Sequence, residues 1–489
     1  MLLGMSAGDP PDVNPLEAQN RQYFSIWGNA YNHLIQYNWK EPADQIIPDL
    51  AESWEIGPDA KTYTFRIREG VKWHDGKTFT AEDAKWAVEA IKDKGPRVKD
   101  DLRSIAKVEA LDPRTLRITL AQPRASLLGV LGLATVPIVA RHVYEAAKGD
   151  LRQGPNIGTG PFKEGSYIRG VSAEMVRNPD YFEKELPYLD GIKVIMVRDN
   201  TTRLAAFRTK RVDLLSMGAT EVNRVELDEL KKSVPDLQPN PHVKMAVNII
   251  WPNTNAKPWD DVRVRRAAFL AVDRYQALKV LDDTMAVAGP VVPPNWALPE
   301  KELQSIPGYR PNNIENDRRE ARRLLAEAGY PNGFDTESTA PSNVDRLVKL
   351  QVFAVDQLGT VGIRVKSNPL PFAEWSVLRR EGTFKLIAIE ANVAYPDADA
   401  AAANVFPGVF STLKDDKMVQ LFQQQSVEPN LERRRQIVFD LQRRMLEVLN
   451  QIPIAWTSDY YPTQPYVKGF VAPLGQWSRH RMDHVWLDK

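Results

Sequence analysis

The sequence predicts an α/β protein of two or three domains, on three observations. The chain has 489 residues, more than one ordinary core holds, since domains usually run to roughly 100–200 residues. Residues 50–158 carry alternating apolar patterns bounded by turn signals, the mark of strands. From about residue 246 the pattern shifts to helices set between strands.

Taken in order, the chain opens with a short apolar strand and turns at Gly8-Asp9-Pro10-Pro11. Tyr63, Phe65 and Ile67 alternate with Thr62, Thr64, Arg66 and Arg68, as in a half-buried strand, and Asp75-Gly76 supplies a turn. Thr80 then reads as a helix N-cap, with Glu82 and Asp83 in the first turn and Ala84, Ala87, Val88 and Ile91 on one face. Leu116, Ile118 and Leu120 alternate after Asp112-Pro113, which predicts a hairpin. The apolar run Leu127 to Ala140 is broken by Gly129, Gly132 and Pro137 and reads as buried core. Strands are expected at Ile192 to Val197 and over Met245, Val247 and Ile249. Ala321, Leu324, Leu325 and Ala328 fall at helical spacing, and Gly329 and Pro331 stop that helix. A last helix starts near Asn430 with Ile437, Leu441, Met445 and Val448 on one side. Its arginines, Arg433, Arg434, Arg435, Arg443 and Arg444, are expected to form a solvated face.

Composition narrows the function. A formal net charge of +1 provides no global field for nucleic acid or a membrane surface. Without cysteine there is no disulfide, thiolate ligand or cysteine nucleophile. No run approaches the roughly 20 apolar residues that span a bilayer. Met1-Leu2-Leu3-Gly4-Met5 lacks the charged start and apolar middle of a signal peptide. If the protein is exported, the chain is therefore a mature form, and with no N-terminal cysteine for a lipid anchor, a freely soluble periplasmic one is then favoured.

Motifs for catalysis are weak. Gly76-Lys77-Thr78 suggests a phosphate loop, but five residues separate Gly70 from Gly76 where four are needed, so a hairpin turn is the simpler reading. His480 and His484 have the spacing of a zinc pair, yet lack the intervening Glu and any cysteine partner, and read as surface histidines. No GxSxG elbow is present, and nothing singles out a catalytic carboxylate pair. No cofactor, no metal and no enzymatic activity are expected. Twelve tryptophans are more informative, because an aromatic face can stack on a sugar ring or cover a cation. Trp251, Trp456 and, more weakly, Trp375 are the candidates, each against the alternative of ordinary core packing.

Leu50 to Val88, LAESWEIGPDAKTYTFRIREGVKWHDGKTFTAEDAKWAV, resembles the signature of the extracytoplasmic solute-binding proteins of ABC importers, in the class that binds peptides, nickel and oligosaccharides. The resemblance recurs at Gly158-Thr159-Gly160-Pro161-Phe162, at Arg177 to Phe182 (RNPDYF), at Arg203 to Phe207 with Val212-Asp213-Leu214, at Asp261 to Ala267 with Val272-Asp273-Arg274, and at Ala321 to Phe334. It implies a two-lobed periplasmic-binding-protein fold of the large type II variant, with an additional α/β domain. Lobe I would comprise residues 1–45, 159–245 and 460–489, the extra domain 46–158, and lobe II 246–459. The lobes would close on ligand like a hinge.

Peptide-binding members of this class have a loop resembling GWxADYPDP, whose first aspartate pairs with the ligand's α-amino group. Aligning Phe384 and Tyr395-Pro396-Asp397 puts Ala394 at that aspartate and Ala391 at the tryptophan. A ligand ammonium would then need Glu390 or Asp397 from a shifted position. Alternatively, the ligand has no free amino terminus and Glu390 and Asn392 serve hydroxyl groups. The resemblance makes Gln19, Asn20, Arg21, Tyr31 and Asn32 the ligand-facing candidates of lobe I, and Trp251, Asn253, Glu390, Asn392, Tyr395, Asp397 and Trp456 those of lobe II. Arg21 would favour a carboxylate or phosphate.

The expected function is therefore the substrate-binding component of an ABC importer, a monomer whose partners are a membrane permease and a small organic solute, with no nucleic acid. An oligosaccharide or opine-like ligand is preferred, with a di- or oligopeptide as the alternative. Metal uptake of the nickel-binding kind is weakened by the missing cysteines and only six histidines.

Overall fold

The structure is a computed structural model and describes the chain except residues 6–9, 11–12, 19–20, 39–44, 97, 153, 216–221, 282–283, 409–410 and 474–480, and the side chains of Met5, Arg21 and Val243. The turn expected at Gly8-Asp9-Pro10-Pro11 and the histidine His480 therefore lie outside, or partly outside, the described residues. The chain divides into two compact units, Met1–His242 with Asp459–Lys489, and Val243–Ser458.

The first unit contains two main sheets. In one, β1 (Leu2–Met5) has a strand on each side, although it is the first element of the chain. The four-stranded antiparallel sheet consists of β2 (Ala51–Ile56), β3 (Thr62–Ile67), β4 (Ile105–Asp112) and β5 (Thr115–Leu120), in the order β2-β3-β5-β4. The alternation read in β3 is realised: Tyr63, Phe65 and Ile67 are buried, and Phe65 pairs with Leu116. Between β3 and β4, helix α1 (Ala81–Lys94) buries Ala84, Ala87, Val88 and Ile91. Its start is fixed as expected, because the Asp83 carboxylate accepts from the Thr80 N–H at 2.9 Å and the Thr80 hydroxyl at 3.0 Å. Gly76-Lys77-Thr78 is a hairpin, with Trp73 N–H bonded to Lys77 O and Lys72 bridged to Thr78.

The five-stranded sheet adds β6 (Phe162–Ile168), β7 (Ser172–Arg177), β8 (Gly191–Met196) and β9 (Leu214–Leu215), in the order β9-β1-β8-β7-β6. Leu3 pairs in parallel with both Val194 and Leu214. The Gly158-Thr159-Gly160 landmark has a steric cause. A Cβ on Gly158 would lie 2.0 Å from Ala30 O, and one on Gly160 would lie 2.5 Å from Asn29 O, so backbone packs on backbone there.

The second unit is built on one six-stranded sheet. Its strands are β10 (Pro241–Pro252), β11 (Thr284–Val287), β12 (Phe334–Pro341), β13 (Ile363–Leu370), β14 (Leu386–Asn392) and β15 (Ile452–Tyr460), in the order β11-β15-β10-β14-β12-β13. Strands β10 and β15 carry the chain into and out of this unit. Helix α2 (Ile314–Glu327) buries Ala321 and Leu325 and ends before Gly329, whose positive φ of 93° suits glycine. Helix α3 (Asp345–Gly359) buries Leu350, Phe353 and Leu358 in the core that also holds Ile250, Leu386 and Ile454.

Helix α4 (Asp416–Val427) packs on α5 (Leu431–Val448), where Asn430 caps the Arg433 N–H at 3.0 Å as expected. One expectation for α5 is corrected. Arg434 does not belong to a solvated arginine face; it is buried, because a carboxylate partner lies inside.

Candidate functional site

The antiparallel register of β10 and β14 sets Asn248 opposite Glu390 and Ala246 opposite Asn392. Glu390 therefore stands near the end of a central strand, on the sheet face shared with Asn248. Its Oε1 accepts from the Thr457 hydroxyl of β15 at 2.8 Å, and its Oε2 lies 2.8 Å from Arg346 Nη2 at the start of α3. The two charges are unequally accessible: the Glu390 side chain is 9% exposed and that of Arg346 36%. Solvent, and any solute on this face, meets the guanidinium first. Sequence reasoning did not find Arg346 or Thr457. A cation in the first turn of a helix, where the dipole disfavours it, was the available signal that Arg346 has an anionic partner.

Just after β14, Asn392 is half-buried, Ala394 is exposed and Tyr395 is buried. Asp397 was a candidate for binding a ligand cation, and the structure corrects that expectation. Arg434 Nη1 and Nη2 donate to Asp397 Oδ2 and Oδ1 at 2.8 and 2.6 Å, so the carboxylate already has a two-pronged cationic partner. Asp399 adds a second anion 3.6 Å from Arg434 and accepts from Gln425 and Ser426, both at 2.6 Å. Burial works against the Arg434 charge, but Asp397 and Asp399 outweigh it and hold its pKa above the ordinary value. The guanidinium also lies 4.7 Å over the Trp296 ring. This cluster fixes the segment after β14 from beneath.

Four other candidates are committed to the scaffold. Trp251 is 1% exposed and meets Phe384 edge-on at 4.9 Å, so its faces are core surface rather than a ligand platform. Asn253 Nδ2 donates to Gly382 O and Phe384 O, each at 2.8 Å, which ties the end of β10 to the turn before β14. Tyr31 is buried with its hydroxyl donating to Asn156 Oδ1 at 3.3 Å, and burial raises its pKa. Asn32 is buried between Asp49, which accepts from its Nδ2 at 2.5 Å, and Thr159, which donates to its Oδ1 at 3.3 Å. Tyr31 and Asn32 thus support the Gly158–Gly160 segment. Gln19 and Asn20 lie outside the described residues; Arg21 starts the helix Arg21–Trp27, with its side chain outside them.

Trp375, the weakest aromatic candidate, is buried against Phe372. Trp456 does line a cavity, of about 440 Å³, wholly within the second unit. Among the described residues no group of three or more His, Cys, Asp or Glu could hold a metal ion, and no helix is long and apolar enough to cross a membrane.

Residues 45–410 match the bacterial extracellular solute-binding proteins, family 5, in its middle region. The chain belongs to this family. It is 28% identical over 491 residues to Heme-binding protein A of Haemophilus influenzae, covering 91% of this chain and 85% of that protein. It is 31% identical over 319 residues to Glutathione-binding protein GsiB of Escherichia coli, covering 65% of this chain and 60% of that one. Among solved structures, the ABC transporter-associated periplasmic binding protein DppA from Helicobacter pylori, in complex with the peptide STSA, superposes with a TM-score of 0.76 at 25% identity, over 100% of this chain and 98% of that one. The family-5 chain thus has the two-lobed α/β periplasmic-binding-protein fold, and it is the substrate-binding component of an ABC importer.

Proposed function

We propose that this family-5 protein captures a small organic solute bearing a carboxylate, and that Arg346 is the group that meets it. The observation that carries this reading is the Glu390–Arg346 pair, whose cationic partner is the exposed one. Glu390 is already neutralised and is a poor anchor for an ammonium. The ammonium-binding aspartate of peptide-binding members aligns with Ala394, which removes the other anchor. A neutral oligosaccharide makes no use of the exposed guanidinium, whereas an opine-like or other organic acid shares it with Glu390. Two relatives named for heme and glutathione support the same direction, since both of those molecules carry carboxylates. Asn392 and Tyr395 complete the proposed binding face of the second unit.

A di- or oligopeptide is the second reading, with its C-terminal carboxylate on Arg346 and main-chain hydrogen bonds elsewhere; the peptide complex of DppA favours it. On either reading the protein works in the periplasm as a monomer, delivers solute to a membrane permease and transforms nothing. Residues 46–158 form an extra domain beside lobe I (1–45, 159–245, 460–489) and lobe II (246–459) in the proposed division.

Calorimetric titration with oxidised glutathione, hemin, a free tripeptide, its N-acetylated form and maltotriose tests the proposal. Binding of at least one carboxylate ligand, weakened roughly tenfold or more in R346Q, is expected, since a charge-assisted hydrogen bond contributes about 1.5–3 kcal/mol. Binding of maltotriose alone, or of a peptide that N-acetylation abolishes, would overturn it.

A further inference from the structure

The cavity beside Trp456 has no part in the solute reading, and its chemistry differs from that of Arg346. Its volume of about 440 Å³ falls in the range of small-molecule sites. Leu278, Leu298 and Leu303 supply aliphatic walls, and Tyr275, Tyr309 and Trp456 supply aromatic ones. Glu300 is the single charged side chain among the described lining residues, and it is exposed. Gln304 Nε2 donates to Glu300 Oε1 at 2.7 Å, which holds the carboxylate in place. Tyr275 is held too, its hydroxyl donating to Tyr309 O at 2.9 Å.

An apolar, aromatic chamber with one fixed anion in its lining suits a molecule with an apolar body and a cationic head. We propose that this cavity is a second small-molecule site, for an aromatic or aliphatic amine, separate from the solute-binding face. The two sites share a strand. Trp456 and Thr457 are successive residues of β15, so their side chains point to opposite faces of the sheet. Trp456 lines the cavity, and Thr457 donates to Glu390 on the other side.

Calorimetric titration of the full chain with tryptamine, indole and indole-3-propionate tests the inference without knowledge of the solute. Tryptamine is expected to bind saturably, with a Kd of roughly 0.1–1 mM for a ligand of this size. Indole should bind more weakly, and in R346Q, which lacks the carboxylate contact proposed for the solute face, indole-3-propionate should give no saturable heat. E300Q, an exposed position, should remove the advantage of tryptamine over indole. L303W, which fills the chamber, should abolish both while the variant still melts cooperatively, and R346Q should leave tryptamine binding unchanged. No saturable binding of tryptamine, equal binding of the amine and the acid in R346Q, or tryptamine binding indifferent to both E300Q and L303W would each overturn it.

Discussion

Arg434 and Asp397 face each other through two parallel hydrogen bonds inside the protein, 37 positions apart in the chain. Removing one partner leaves the other charge buried, so R434A is expected to destabilise the protein by about 3–5 kcal/mol. R434K keeps the charge but not the two-pronged geometry and should lose less. Urea unfolding reads both; equal stability of R434A and the parent would refute the clamp.

His74 couples the hairpin at residues 73–77 to the Gly158–Gly160 segment. Its Nδ1 accepts from the Gly158 N–H at 3.2 Å and its Nε2–H donates to Gly160 O at 3.0 Å, which requires the neutral ring. Burial, with help from Lys163 and against the Gly160 hydrogen bond and Asp75, lowers its pKa from 6.5 to about 4. The unfolded chain therefore binds a proton more readily than the folded one. The contribution is complete above about pH 6.5 and is lost as pH falls toward about 4, at most roughly 3.5 kcal/mol. Melting curves from pH 7 to 4 should fall more steeply for the parent than for H74Q. Parallel curves would remove His74 as a cause.

Two glycines should respond to alanine in opposite directions. G158A would drive a methyl group into Ala30 O and is expected to cost about 3 kcal/mol or more. Gly359 ends α3 with open space around its Cβ position, so G359A should gain about 0.5 kcal/mol by restricting the unfolded chain. Thermal unfolding distinguishes them, and a neutral G158A would contradict the contact.

E390Q separates the ligand classes. With Glu390 neutral, the Arg346 charge is freed, so a carboxylate ligand should bind as well or more tightly, by up to about tenfold. An amine-bearing ligand held by Glu390 would instead be lost. Calorimetry with the same ligand on parent and variant decides between them.

The parts legible in the sequence were those whose causes are local. Thr80 and Asp83 are three residues apart, and the alternation in β3 spans six residues. The alternation of Met245, Val247 and Ile249 continues to Trp251, so its burial was readable and outweighed the attraction of an aromatic platform. Arg434 was not readable in this way. A run of arginines on a helix usually faces water, and only the return of the chain past Asp397 turns one inward. Arg346 was missed for the same reason, since its partner belongs to a strand brought beside α3 by the sheet order. Of the first-unit candidates, Tyr31 and Asn32 are polar residues whose partners Asn156, Asp49 and Thr159 lie in other segments of the core, so their hydrogen bonds could not be read from the sequence.

The placement of β1 has a consequence for the order of assembly. Residues 2–5 remain without strand neighbours until residues 191–196 and 214–215 have been made. The first unit then waits longer still, for Asp459–Lys489, in which Tyr460 N–H bonds to Val222 O and Gln464 N–H to Asp213 O, each at 2.9 Å. The second unit is one uninterrupted stretch and needs nothing from outside it to complete its sheet. A chain emerging from its N-terminus would thus complete the four-stranded sheet of residues 51–120 first, then the second unit, and the sheet around β1 last, with long loop closures slowing that sheet.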